Sequence, residues 1–145
     1  MILARIFTKI YKESGIILID ATGKKYICGN PRKENPITIK LLKGLELGCS
    51  GCISAVTNVT HSLARKVFDD FENKHTQIKN NKLIDVRETF DQYNLISALH
   101  SFLAINDEKF KNILPPLILL SQEKQKELVD RLNDLKFISE KNLAA

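Results

Sequence analysis

The residues best suited to chemistry are two cysteines in the C-x-x-C motif Cys49-Ser50-Gly51-Cys52. A redox pair needs its first cysteine at a helix N-terminus, where the helix dipole lowers the thiol pKa, but this motif leads into a predicted strand. A zinc site needs about four ligands, and the spacing of Cys28 and His61 does not select them as the other two. The motif therefore favours small, buried cysteines. Three cysteines, an odd number, also argue against a disulfide framework.

The histidines give no clear catalytic signal. His61, His75 and His100 are far apart in the sequence, and no surrounding motif indicates a triad. His100 falls on an apolar helical face, which favours packing or solvent contact over catalysis. Asn58-Val59-Thr60 fits the glycosylation sequon, but a strand exit followed by a helix cap is the preferred interpretation. The residues themselves therefore predict no catalytic group, no metal ligand and no cofactor.

Size and charge limit the function classes. The chain has 145 residues, which fits one ordinary domain and is too short for a complete (β/α)8 barrel of roughly 250 residues. The formal charge is +5, but acidic residues lie between most of the cations, so we expect a solvated surface and no nucleic-acid partner. No apolar run approaches the roughly 20 residues of a membrane span. Arg5 and Lys9 interrupt the apolar N-terminus, which argues against a signal peptide, and the expected location is the cytoplasm.

The first 42 residues predict a helix, a hairpin and a strand. Leu3, Ile6, Phe7 and Ile10 recur at helical spacing and predict a helix over residues 2–12. Two β-prone runs around a glycine turn predict a hairpin, with strands at 16–20 and 25–28. Residues 29–36 are a predicted loop, and 37–42 a half-buried strand. The basic helix could lie on an anionic membrane, although packing against the hairpin is favoured.

From residue 43 onward the pattern is mostly helical. Gly44 to Gly48 is typical of a helix end capped by glycine, and residues 49–58 predict a short buried strand. Four segments complete the prediction: a helix capped by Thr60 and interrupted at Asn80-Asn81, a helical stretch from Leu83 to Ile105, an extended segment at 117–120, and a last helix capped by Ser121 with Leu128, Leu132 and Leu135 buried. Residues 137–145 are expected to be a frayed tail.

Three motifs in this second part resemble one known family. Gly48 to Asn58 fits the pattern G-x-x-G-x-I-S-x-x-x-N, Leu95 to His100 stands where the family has a segment of the type N-P-I-P-x-K, and Leu114 to Ser121 is similar to R-P-P-L-x-P-L-S. Residues 44–136 thus resemble the C-terminal end of pyruvate-dependent lyases of the dihydrodipicolinate synthase and N-acetylneuraminate lyase family. Ser97 departs from the pattern, since proline is usual there.

The resemblance implies a TIM barrel followed by a small helical extension. This chain would contain the last strand, the last barrel helix and that extension. The Schiff-base lysine of the sixth strand, the proton-relaying tyrosine and the threonine-rich carboxylate motif have no counterpart here. The resemblance therefore implies no catalytic residue. It implies contacts to pyruvate or a related keto acid through Ile53, flanked by Ser54 and Gly51, only if the barrel is completed.

A second resemblance covers residues 1–42. Residues 4–7, 15–21, 23–26 and 36–41 are similar to the N-terminal start of cyclopropane-fatty-acyl-phospholipid synthases, which implies a lipid-binding origin. The methyltransferase domain of that family has no counterpart here. Two segments are therefore expected, 1–42 and 43–145, and one hypothesis is that pieces of two unrelated genes are joined near Lys43.

The predicted fold is α+β and mainly helical: a C-terminal fragment of a TIM (β/α)8 barrel, preceded by a helix and a β-hairpin. The barrel-type strand must pair with the hairpin or with 37–42, or remain partly disordered. The leading functional hypothesis is a truncated or fused lyase relative that is inactive alone. The alternatives are a lipid-associating remnant and a helical self-association module. For the last, we expect a homo-oligomer that covers the apolar side chains Phe90, Tyr93, Phe102 and Leu103.

Overall fold

The computed structural model describes the backbone of residues 8–12, 15–19, 23 and 25–28, and all atoms of residues 41–138. The described part is mainly helical and of the α+β class, as predicted. The chain divides into two compact units, residues 1–83 and 84–145, which are treated separately below. The division expected near Lys43 rests on resemblance to two families and not on compactness. The two units therefore do not test it, and it stays a prediction.

A four-stranded sheet lies in the first unit. Its strands are β1 (Thr8–Lys12), β2 (Gly15–Ile19), β3 (Lys25–Cys28) and β4 (Cys52–Ile53), in that spatial order. The pairs β1–β2 and β2–β3 are antiparallel, and the second of them confirms the hairpin predicted at 16–20 and 25–28. β4 pairs with β3 in parallel, with Ile27 opposite Cys52. Of the alternatives left open for the strand expected at 49–58, the structure shows pairing with the hairpin.

Two predictions at the N-terminal side are wrong for the described residues. Thr8–Lys12 is a strand and not part of a helix, whereas residues 2–7 lie outside the described part. Thr8, Ile10 and Tyr11 favour strands, and the pairing of β1 with β2 along its whole length decides against the helical spacing. Leu41 and Leu42 begin a helix instead of ending a strand, and residues 37–40 again lie outside.

Helix α1 (Leu41–Glu46) is capped at its C-terminal end by a glycine, Gly48, as predicted. Gly48 has a φ of +79°, which only glycine adopts without strain. The Cys49 N–H donates to the Gly44 carbonyl at 2.9 Å, and the Gly48 N–H donates to the Leu45 carbonyl at 2.9 Å. These two bonds make a Schellman motif, which satisfies the last carbonyls of the helix.

Helix α2 (Thr57–Glu72) carries much of the core of the first unit. Val67 is fully buried and belongs to a cluster with Leu41, Leu45 and Leu83. The apolar residues of α2 recur every three or four positions, which gives the helix one buried stripe. The half-buried members of that stripe are Leu63, Ala64, Phe68 and Phe71.

Thr60 is not the cap of this helix. It lies inside α2 with φ −113° and ψ 15°, where two helical segments join at a kink. Its hydroxyl donates to the Val56 carbonyl at 3.0 Å, in the preceding turn. It therefore does not accept from the free backbone amides of the following turn, as a helix cap would. The predicted helix is present, but it begins at Thr57 and Thr60 does not cap it.

The remaining helices are α3 (Ile78–Asp91), α4 (Leu95–Leu103) and α5 (Gln122–Asp134), with a short 3₁₀ helix at Glu108–Lys111. Two predicted boundaries are wrong. Asn80-Asn81 lies within α3, since the chain turns earlier, at residues 73–77. The predicted stretch from Leu83 to Ile105 is broken at residues 92–94, where the Asn94 side chain accepts a hydrogen bond from the Ser97 N–H at 3.1 Å and begins α4.

The second unit has its own apolar core. Its buried side chains come from all three helices and the segment after them: Val86, Phe90, Ala98, Leu99, Leu128, Leu132 and Phe137. Phe90 and Phe102 meet edge to face, with ring centroids 5.7 Å apart. Ser121 caps α5, as predicted, by accepting from the Lys124 N–H.

The predicted frayed tail begins too early. Phe137 is only 7% exposed and packs against Phe102, while residues 139–145 lie outside the described part. The Phe137 N–H donates to the Leu132 carbonyl at 2.9 Å, and Lys136 has a positive φ of 52°. α5 therefore ends in a second Schellman motif, which turns Phe137 back onto its own unit.

Candidate functional site

The residues expected to contact a keto acid lie together on a short segment around β4: Gly51 precedes the strand, Ile53 is its last residue and Ser54 follows it. Ile53 is 50% exposed, and Gly51 and Ser54 are half-buried. Gly51 has a φ of +156°, which favours glycine. The Ser54 carbonyl accepts from both the N–H and the hydroxyl of Thr57. This segment offers backbone groups, an apolar side chain and one hydroxyl, but no group that titrates near neutral pH.

The strand in this segment is shorter than predicted. Only Cys52–Ile53 is strand, and residues 55–56 form a turn that leads directly into α2. The Asn58 N–H donates to the Ala55 carbonyl at 3.2 Å, so Asn58 is already in the first turn of the helix and is not a strand exit. Its side-chain amide also donates to the Ala55 carbonyl, at 2.9 Å. The sequon therefore lies within the first turns of α2, with Asn58 exposed and Thr60 buried, and the expected strand exit and helix cap are both wrong.

The C-x-x-C motif has the features of structural cysteines. Cys49 is 5% exposed, and Cys52 is half-buried beside the core of the first unit. Cys49 follows the C-terminal end of α1 and does not lie at a helix N-terminus, which is the position expected for the first cysteine of a redox pair. β3 places the backbone of Cys28 opposite Ile53 and not opposite Cys52. No group of three or more histidine, cysteine or acidic residues within the described ranges could hold a metal ion.

The described histidines do not form a triad. His100 is half-buried, its Nδ1 lies 2.9 Å from the Phe110 carbonyl oxygen, and its ring meets the Phe110 ring edge-on at 6.0 Å. It therefore joins α4 to the 3₁₀ helix, in agreement with the packing role predicted for it. His61 is exposed on α2, and His75 lies just beyond the end of that helix.

One buried carboxylate was missed by the sequence reasoning. Asp70 is 4% exposed, and its carboxylate lies 2.8 Å from Lys66 Nζ and 3.6 Å from His75 Nδ1. The hydrogen bond from Lys66 lowers the pKa of Asp70, and burial opposes this effect only partly. The i,i+4 spacing of Lys66 and Asp70 could have indicated the pair. Its contacts are to basic side chains of the same helix and of the turn that follows it, so we assign it to stability.

A shallow groove of about 280 Å³ lies in the second unit. It is lined by side chains of α3, α5 and the residues that follow each helix: Asp85, Glu88, Thr89, Gln92, Arg131, Asp134 and Leu135. Arg131 donates to Gln92 Oε1 and also to Glu127 Oε1 at 2.7 Å. Burial raises the pKa of nearby Tyr93, and the negative charge of Glu127 raises it further. Three carboxylates and one guanidinium make up its charged lining, and its helices are too far apart in sequence for a motif to reveal it.

Comparison of the chain with models of protein families, with curated proteins and with solved structures finds no match. Within residues 41–138 and the described strands, no helix is long and apolar enough to cross a membrane.

Proposed function

We propose that residues 44–136 descend from the C-terminal end of a pyruvate-dependent lyase of the dihydrodipicolinate synthase type, and that the chain alone performs no lyase reaction. The order of elements supports the ancestry. A short parallel strand, β4, is followed by α2 and then by three further helices. That is the order which the resemblance implies for a last barrel strand, a last barrel helix and a helical extension. Location in the cytoplasm is part of the proposal.

The exposure of the described lysines supports the proposed absence of lyase activity. A Schiff-base lysine must be desolvated so that its amine is neutral and can attack a carbonyl. Every lysine in residues 41–138 is exposed except Lys82, which is half-buried and already has an interaction partner. No described lysine therefore has the environment that the reaction requires. Ile53, Ser54 and Gly51 would contact pyruvate or a related keto acid only in a completed barrel.

Borohydride trapping tests this proposal. The purified chain is incubated with pyruvate and sodium borohydride, digested, and examined by mass spectrometry, with an intact lyase of the family treated in parallel. We expect an adduct on the intact enzyme and none on this chain. An adduct on any lysine would overturn the proposal. Lys82→Arg is the first variant with which to locate it, because Lys82 is the most enclosed lysine of the described residues.

The proposed joining of two gene pieces near Lys43 has its own test. Sequencing the genomic locus across that codon, together with its flanks, shows whether one reading frame connects both parts. We expect the similarity to each family to stop near the junction. A longer intact frame of a single family around Lys43 would contradict the proposal.

We also propose that the chain self-associates, although not through all of the residues that the sequence suggested. Phe90 is fully buried within its own unit, and Tyr93, Phe102 and Leu103 are half-buried, so that face is largely covered. Leu114 and Ile118 are instead 83% and 75% exposed, on the segment between the 3₁₀ helix and α5. Large apolar side chains close together on a surface favour contact with another chain.

Size-exclusion chromatography with light scattering tests self-association. We expect an oligomer for the natural chain and a shift toward monomer for the double variant Leu114→Ser, Ile118→Ser. Ile78→Ser is the matched control, because Ile78 is 73% exposed but lies in the other unit. A natural chain that is monomeric at all concentrations, or a control that dissociates equally, would refute the role of the 114–118 segment.

Charge distribution favours another candidate function, association of residues 1–42 with anionic lipid. This segment contains eight lysines and arginines and only three acidic residues, whereas residues 43–138 contain thirteen of each. The net positive charge of the chain therefore lies in this segment, which resembles the lipid-modifying family, and is not dispersed over the whole sequence. Because Thr8–Lys12 is a strand, the amphipathic helix expected for residues 2–12 is no longer the means of contact.

Vesicle co-sedimentation tests this candidate. Vesicles with anionic lipid and vesicles of zwitterionic lipid alone are each mixed with the chain at low and at high salt. We expect pelleting only with the anionic vesicles and its loss at high salt, because the attraction is electrostatic and is screened. Equal recovery in the supernatant under all four conditions would remove the lipid hypothesis.

A further inference from the structure

We draw no further inference here: the strongest candidate, the open groove lined by Asp85, Glu88, Asp134 and Arg131 in the second unit, is a cluster of acidic side chains beside an arginine that is already paired with Glu127, and nothing in the described residues shows a ligand for it.

Discussion

Replacing Lys74 with glycine should stabilise the chain. Lys74 follows α2 with a φ of +56°, and the His75 N–H donates to the Asp70 carbonyl at 2.7 Å. Together with the bond from the Lys74 N–H to the Phe71 carbonyl, this is a Schellman motif whose left-handed position carries a side chain. The β-carbon of an L-residue in this conformation costs about 1–2 kcal/mol, whereas glycine has no such penalty.

The net gain is smaller than that penalty, because glycine also has more freedom in the unfolded chain, which offsets roughly 0.5–1 kcal/mol. We therefore expect Lys74→Gly to raise the free energy of unfolding by about 0.5–1 kcal/mol. Urea unfolding followed by circular dichroism measures it. Lys74→Ala is the matched control, because it removes the charged stem but keeps the β-carbon, and it should leave stability nearly unchanged.

Gly48→Ala provides the reverse test at the equivalent position of α1. A methyl group at Gly48 would meet no atom within 4 Å, so the loss comes from its φ of +79° and not from a clash. We expect a loss of about 1 kcal/mol. The reasoning is refuted if Lys74→Ala stabilises as much as Lys74→Gly, because the gain would then come from removing the lysine side chain and not from the backbone.

Three further predictions address other features. Phe137→Ala should lower the free energy of unfolding in urea by about 3 kcal/mol, because the ring is buried. A loss under about 1 kcal/mol would instead favour the frayed tail predicted from the sequence. Asn94→Ala should cost about 1 kcal/mol by removing the cap from the Ser97 N–H, and Asn94→Asp should largely retain it. Lys66 lowers the pKa of Asp70 in the folded chain. The ionised carboxylate therefore stabilises the fold at pH values above its unfolded pKa near 4, and this stabilisation is lost as the pH falls through the lower folded pKa. The stability difference between the natural chain and Asp70→Asn, measured by urea unfolding across pH, should therefore shrink on acidification, and a constant difference would contradict this.

Features determined by neighbouring residues were predictable. Gly48 supplies the only backbone conformation that ends α1 with both carbonyls satisfied, and Ser121 supplies an acceptor at the start of α5. The hairpin of β2 and β3 follows from two β-prone runs around a glycine turn. In the two helix caps the decisive hydrogen bonds span five residues or fewer, and the hairpin pairs residues at most twelve apart, so the local sequence contains the relevant information.

Features decided by packing were not predictable. The apolar spacing in residues 2–12 fits a helix, but β2 offers a complete partner strand, and pairing overrides the local preference of Thr8–Lys12. Leu41 and Leu45 are four apart, and both are buried against Val67, which selects a helix where alternation had suggested a strand. The turn after α2 depends on a lysine at positive φ, and lysine is not a typical residue for that conformation.

The candidate site was located by resemblance and not by chemistry. Gly51, Ile53 and Ser54 are adjacent in sequence, so their proximity in the fold needs no tertiary information. The spacing of Lys66 and Asp70 could have indicated their pairing but not the burial of Asp70, and the groove depends on contacts between helices that no motif encodes. Sequence reasoning therefore found the segment with a suggested ancestry and missed the ionisable groups that the fold encloses.

The proposed lack of lyase activity does not depend on a failure to fold. Val56 and Val67 are fully buried on either side of the kink in α2, and β4 has a parallel partner in β3. The segment that carries Ile53 is thus supported by a packed core in the described structure. A missing borohydride adduct, obtained on a chain that unfolds cooperatively in urea, would therefore reflect the absence of a desolvated lysine. The trapping and unfolding experiments together separate an incomplete site from an incomplete fold.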